Sequence, residues 1–418
     1  MNVDIQVNNS ASLTARYLTW AWSPCRVRVT NPTGITSPTA SVQLSQAALG
    51  GAGSIRFSAT PTGAGAATLT VNVAAGGAST PFFVRGLTAS NADPGVRILT
   101  RWRPTPAAAL TQVGSVDLMV RIRKSAISLN TGERTRLINS FAQLNNQGMG
   151  RFADFRAAHV FESQDEAHGF PAFLPWHRAY ILDLERELQI IEPSVALPYW
   201  RCDQAAAALF TPSYFGRGNN TSSVILDPGH PFLFWKTDND VGIVRQPGFN
   251  INGVSPQVLS QALTLALGPS FAQFRTLESK FPNPDPHGMA HTSFAGPIRA
   301  IRTAAKDPLF FLLHCNVDRL WAVWQRQNGR YNIADGDTYQ PAPLAGHRIG
   351  HNLGDTMWPW NGNVTFPRPN FPPPGGTMAP SPCVEKPGLQ PQVQQCFDYQ
   401  GTINIANNLG FSYDDVPL

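Results

Sequence analysis

Six of the nine histidines in this 418-residue chain fall in two short windows, His159, His168 and His177 in one and His287, His291 and His314 in the other. A lone histidine is most simply a hydrogen-bonded, partly buried side chain. Two triplets point elsewhere, because neutral imidazoles are the commonest side-chain metal ligands and an ion needs several of them to converge. His287 and His291 are four residues apart, so on a helix their rings leave one face and can grip one ion. Three imidazoles per ion, with no thiolate or carboxylate inside either triplet, suit copper or zinc better than magnesium or calcium. Two matching triplets suggest two ions of one kind. A paired redox metal would also explain why no acid–base dyad stands beside them.

The elements that must position these ligands lie in the second part of the chain. Residues 131–147 have helical periodicity behind a Thr131 N-cap. Residues 177–191 place Tyr180, Leu184, Leu188 and Ile191 on one stripe, with Asp183 and Glu187 off it. This puts His177 in the first turns of a helix, His159 at the end of a preceding segment and His168 on the loop between them. Further helices are expected over 255–267, 296–306 and 307–327, the last behind Asp307-Pro308, a favourable helix start that leads to His314. Facing helices that each contribute inward ligands are a common route to a core metal site. Beyond Gly329 the chain turns to Pro/Gly-rich loops and a final stretch at 411–415.

Residues 1–115 have another texture, rich in Thr, Ser, Ala, Gly and Val and free of histidine. Short alternating runs at 2–7, 25–30, 54–58, 67–73 and 80–84 are separated by turn signals such as NPTG and AAGGA. They predict an antiparallel β-sandwich of immunoglobulin-like type. The fold class expected is therefore α+β in two domains, a β-sandwich over 1–115 and a mainly α domain over 116–418. Hydrophobic content is 42% and no apolar run reaches transmembrane length, so no membrane partner is expected. A net charge of +5 with 14% charged residues and no Lys/Arg cluster argues against nucleic acid. The opening MNVDIQVNNS lacks the basic and apolar regions of a secretory signal, which implies a cytoplasmic protein or export with a partner. Five cysteines without a C-x-x-C argue against a cysteine zinc site; Cys383 and Cys396 flank a Pro-rich loop and are either paired or free thiols.

The stretch FLPWHRAYILDLEREL, with His168 nine residues before His177, resembles the first copper motif of the tyrosinase family, and HGMAH followed by DPLFFLLHCNVDRLWAVWQ resembles the second. The family comprises tyrosinases, catechol oxidases and molluscan haemocyanins, and the resemblance runs over roughly residues 120–413. It implies a four-helix bundle around a type 3 dicopper centre, with His159, His168 and His177 on one copper and His287, His291 and His314 on the other. It further implies dioxygen and a small phenol as partners and oxidation of ortho-diphenols to ortho-quinones, with ortho-hydroxylation of monophenols left open. The alternatives are an ortho-aminophenol oxidase and a haemocyanin-like dioxygen carrier, and a homo-oligomer is also left open.

By the same resemblance Glu278 would hold a water that deprotonates the incoming phenol, while Gly288 lacks the Asn arm that helps to hold it in tyrosinases. Ile301 would leave the entrance open, Phe310 would pack against the copper site, and Asn316 and Asp318 would orient the imidazoles. Leu313 replaces the first histidine of the usual His-His pair, and Phe411 the first tyrosine of a closing Tyr-x-Tyr. Glu166 stands where fungal and plant members place a thioether-forming cysteine, which resembles bacterial members. His230, His347 and His351 match no ligand and read as structural or surface residues. The β domain is either a cover over the copper mouth or an oligomerisation module.

Overall fold

The structure, a computed structural model, describes residues 1–19, 22–49, 53–88, 90, 94–159, 167–192, 194–221, 223–247, 258–279, 285–339, 350–361 and 387–416. Glu166, His347 and Cys383 lie outside the described residues. The chain divides into two compact units, Met1–Ile122 with Gln400–Leu418, and Arg123–Tyr399. The first is β-rich and the second mainly helical. No helix of the described residues is long and apolar enough to cross a membrane.

In the first unit the strands are β1 (Asn2–Val7), β2 (Tyr17–Leu18), β3 (Ser23–Asn31), β4 (Thr39–Ala48), β5 (Ser54–Ser58), β6 (Thr68–Ala74), β7 (Thr80–Thr88), β8 (Val96–Trp102) and β9 (Thr111–Val120). One sheet has the order β1-β3-β7-β5 and the other β2-β9-β8-β4-β6. All pairings are antiparallel except that of β2 with β9. The alternating runs fold as their period requires: Val3, Ile5 and Val7 of β1 are buried while the residues between them are not. Both sheets feed one apolar cluster, with Val27, Phe82 and Val84 from the first and Val42, Leu44 and Ile98 from the second fully buried. Each such side chain contributes about 1.5–3 kcal/mol. The boundary expected at residue 115 falls inside β9, which runs on to Val120 because Val116, Leu118 and Val120 continue the inward alternation. The closing stretch 411–415 also belongs to the β-rich unit, where Phe411 packs edge-on to Tyr413 at 5.9 Å.

The second unit is organised by helices α1 (Thr131–Asn145), α2 (Phe152–Ala158), α3 (Phe173–Ile191) and α4 (Leu309–Asn328). The cap of α1 is Asn130, one residue before the threonine expected there. Its Oδ1 accepts the Glu133 N–H at 3.0 Å, and Glu133 Oε2 accepts the Asn130 N–H at 2.9 Å, a capping box. Helix α4 starts as its sequence dictates, with Asp307 Oδ1 accepting the Leu309 N–H at 2.9 Å, and ends at Gly329 in the left-handed conformation (φ 66°). The helix expected over 296–306 is broken into a turn at Pro297–Arg299 and a short helix at Ile301–Ala304, the chain entering through Gly296 at φ 114°. Of the helix expected over 255–267, residues 255–257 lie outside the described residues, and of the rest only Gln261–Leu265 are helical, behind a Ser260 cap.

Helix α3 is buried almost all round rather than along one stripe. Its charged residues are matched across the core. Arg178 Nε donates to Asp318 of α4 at 2.5 Å, and Arg123 donates to Glu185 at 2.6 Å and to Asp318 at 3.2 Å, with all four side chains buried. Buried charges survive only when paired and hydrogen-bonded, so this lattice fixes α3 against α4 and with them His177 against His314.

Candidate metal centre

His159 follows the last residue of α2, His168 lies in the loop before α3, and His177 stands in the second turn of α3. His287 immediately precedes the short helix Gly288–His291, which ends on His291, and His314 stands in the second turn of α4. All six are buried. Each triplet offers one ligand atom per residue, all within 4.8 Å of one another. In the second, His291 Nε2 lies 3.2 Å from both His287 Nε2 and His314 Nε2. The triplets meet where the His177 and His314 rings stack, with centroids 4.1 Å apart and planes 7° from parallel.

Four of the rings are oriented by main-chain carbonyls. The Nδ1–H of His159 donates to Ile301 at 3.1 Å, that of His177 to Phe173 at 2.8 Å, that of His287 to Glu278 at 3.1 Å and that of His291 to Ile298 at 2.8 Å. A carbonyl can only accept, so each Nδ1 carries the proton and each Nε2 presents its lone pair. Nε2 of His159 and of His177 are buried without a protein partner, a cost that a bound cation removes. Burial lowers the pKa of all six imidazoles, His159 to about 3 and His291 to about 4, and the neighbouring imidazoles lower those of His168, His177 and His314 further. The rings are therefore neutral near pH 7, as metal ligation requires. Neutral nitrogen donors without thiolate or carboxylate fit copper.

Around this cluster, Phe310 lies 4.3 Å from the His314 ring and 4.6 Å from that of His159, the packing position expected of it. Phe173 sits between His177 (4.7 Å) and His287 (4.8 Å). Glu278 Oε1 accepts the Gly169 N–H at 2.6 Å, and burial pushes its carboxyl up to about 7. Gly288 opens the helix that carries His291, and a Cβ there would lie 3.1 Å from each carboxylate oxygen of Asp285. Asp285 Oδ1 accepts the Met289 N–H at 3.1 Å, and burial raises the pKa of its carboxyl against the lowering effect of the nearby backbone N–H groups.

Other expected site residues are placed differently. Ile301 is half-buried, and its carbonyl is what anchors His159. Asp318 pairs with Arg123 and Arg178, Asn316 accepts from Arg319, and four of the six imidazoles are oriented by carbonyls. The carbonyls of Ile298 and Ile301, Asp285 and the contacts of His351 were not legible in the sequence, since they depend on how distant segments fold together. Phe173 was within reach, being one helical turn before His177. His230 has the structural role expected: its Nδ1 accepts the Phe232 N–H at 3.1 Å and caps a 3-10 turn. Leu313 is wholly buried.

A pair of buried, neutral three-histidine groups sharing one stacked contact defines a dinuclear metal centre of the all-imidazole class. Residues 149–327, which hold all six histidines, match the family model described as the common central domain of tyrosinase, so the chain carries a tyrosinase-type central domain. It is similar to the tyrosinase of Streptomyces glaucescens, 28% identical over 264 residues that cover 57% of this chain and 92% of the relative. It is also similar to the grixazone synthase of Streptomyces griseus, 29% identical over 267 residues covering 50% of this chain and 86% of that one. Among solved structures, a functional unit of octopus haemocyanin aligns with 71% of this chain and 68% of its own at 21% identity and a TM-score of 0.46. The family uses a dinuclear copper centre, and the two triads are positioned to hold its ions.

Proposed function

We propose that this chain is a copper-dependent phenol oxidase. It takes two electrons and two protons from each of two ortho-diphenols, giving two ortho-quinones while one dioxygen is reduced to two waters. The observation that carries this reading is the meeting of the two neutral triads across the His177–His314 stack. His159, His168 and His177 would hold one copper and His287, His291 and His314 the other. Bound copper supplies the redox chemistry with dioxygen that no side chain here can perform.

The chain's own residues do the rest. The carbonyl-anchored imidazoles hold their geometry without reorganising, and Phe310 and Phe173 wall the centre with apolar surface. Glu278 spends Oε1 on Gly169, which leaves Oε2 to hold a water, and a carboxyl near neutrality can accept and return a phenolic proton. Position 288 adds no side-chain arm to that water, so diphenol oxidation is favoured over monophenol hydroxylation. Half-buried Ile301 leaves the rim open.

Gly288 suits an ortho-aminophenol as well as a diphenol, and oxygen uptake by the copper-loaded chain with a monophenol, its diphenol and an ortho-aminophenol in parallel decides between them. No uptake with any of the three defeats the proposal. We further read the first unit as an immunoglobulin-like sandwich acting as a cover or an oligomerisation module, and α1–α4 as the four-helix bundle around the ions. Sedimentation of the full chain as a monomer at all concentrations would remove the oligomerisation role.

A further inference from the structure

Among the six ligands, His168 is held in a way of its own. Four rings are tied to carbonyls through Nδ1, and His314 is carried by a long buried helix. The buried Nδ1 of His168, like that of His314, has no protein partner, but His168 lies on a loop whose next member, Gly169, sits at φ +73° with open space where a Cβ would be. Its ring is packed by His159, Phe173 and His177 but aimed by no hydrogen bond of its own, so its position depends on what grips the loop backbone.

Two side chains from distant segments do so. Glu278 takes the Gly169 N–H at 2.6 Å, and His351 Nδ1 takes the Ala172 N–H at 3.3 Å, where the loop enters α3. The His351 ring also packs on Phe170, the residue between those two contacts in the chain, at 5.2 Å. His351 is itself braced. Asp355 Oδ2 accepts the N–H groups of its two neighbours, Gly350 at 3.0 Å and Asn352 at 3.1 Å, and the Tyr339 hydroxyl donates to the His351 carbonyl at 2.6 Å. An acceptor locked on both flanks and aimed at one loop amide is the construction that keeps a ligand-bearing segment within tolerance.

We propose that His351 is a positioning residue for His168: from outside the copper motifs it clamps the loop Gly169–Ala172, so that the His159–His168–His177 site keeps its third ligand. This rests on the reading of the triads as copper sites. The second triad does not depend on the clamp.

The test compares full-length His351→Leu with His351→Asn. Asparagine places Oδ1 where histidine has Nδ1 and preserves the acceptor; leucine keeps bulk and loses it. Copper bound per chain is measured by metal analysis, with electron paramagnetic resonance to detect a lone Cu(II), whose unpaired electron is uncoupled. Melting and amide exchange are followed on the metal-free proteins. His351→Leu should fall from two coppers to one, show the lone Cu(II) signal and exchange the Gly169 and Ala172 amides at least about tenfold faster, a loss of about 1.4 kcal/mol of local protection. His351→Asn should keep both coppers. Two coppers with a wild-type spectrum in His351→Leu would overturn the proposal, as would His351→Asn behaving like His351→Leu. Loss of both coppers together with a lowered metal-free melting temperature would overturn it too, by showing a general structural role. A wild-type chain that binds fewer than two coppers defeats the copper reading rather than the clamp.

Discussion

Placing a side chain at position 288 tests the second triad most sharply. In Gly288→Asn the new Cβ lies 3.1 Å from both oxygens of Asp285, where ordinary contact begins at 3.4 Å. The carboxylate has little freedom to retreat, because its Oδ1 accepts the backbone N–H of Met289 at 3.1 Å. Overpacking of this kind costs about 1–3 kcal/mol, and each bond to a charged acceptor that is stretched forfeits part of about 1.5–3 kcal/mol. With roughly 2–4 °C lost per kcal/mol in a unit of this size, the metal-free variant should melt about 2–12 °C lower. Gly288→Ala carries the same Cβ and should show most of that loss. Any gain in monophenol rate that the amide brings therefore comes with a displaced helix Gly288–His291, and should be larger relative to stability once Asp285 is also replaced by glycine. The assay is thermal melting of the metal-free proteins followed by oxygen uptake on paired monophenol and diphenol. A Gly288→Ala variant that melts with the wild type would refute the idea that Asp285 walls this position.

Acid should destabilise the metal-free protein. His159 and His291 have folded-state pKa values near 3 and 4, below the ordinary 6.5, so the unfolded chain binds more protons between these limits. Stability is complete above about pH 6.5 and falls by about 1.4 kcal/mol per pH unit for each group as pH drops towards 4; a denaturation series flat from pH 7 to 4.5 would contradict this. Copper at about 100 times its dissociation constant should raise stability by about 2.7 kcal/mol, read as a concentration-dependent melting temperature that a chelator reverses. Replacing Arg123 by methionine strands Glu185, while Asp318 keeps Arg178, and should cost about 3–5 kcal/mol in chemical denaturation. Asn130→Ala should cost only about 1 kcal/mol through the lost cap.

The ligand set was legible because its information is local. A four-residue spacing, a helix start at Asp307-Pro308 and a stretch such as FLPWHRAYILDLEREL each declare a local geometry. The β runs were legible for the same reason, since a period of two shows within six residues. What orients the imidazoles was not, because carbonyls belong to every residue and only the path of the chain brings Ile298, Ile301 and Glu278 to the rings. Asp318 shows the converse: an acid four residues beyond His314 looked like a ligand orienter and instead neutralises Arg123 and Arg178. The boundary near residue 115 was misplaced because the alternation of β9 merges into VRIRKS without a turn signal.

The carbonyl anchoring of four ligands has a consequence for how this centre can change. Because the groups that aim His159 and His291 are main-chain atoms of Ile301 and Ile298, the side chains at those positions can be exchanged while the aim is kept. At these positions metal geometry is stored in the route of the backbone, while a half-buried side chain such as that of Ile301 is left to vary. The two are written in separable parts of the same residues, so the mouth can diversify towards new phenols without each change having to renegotiate the grip on the ions.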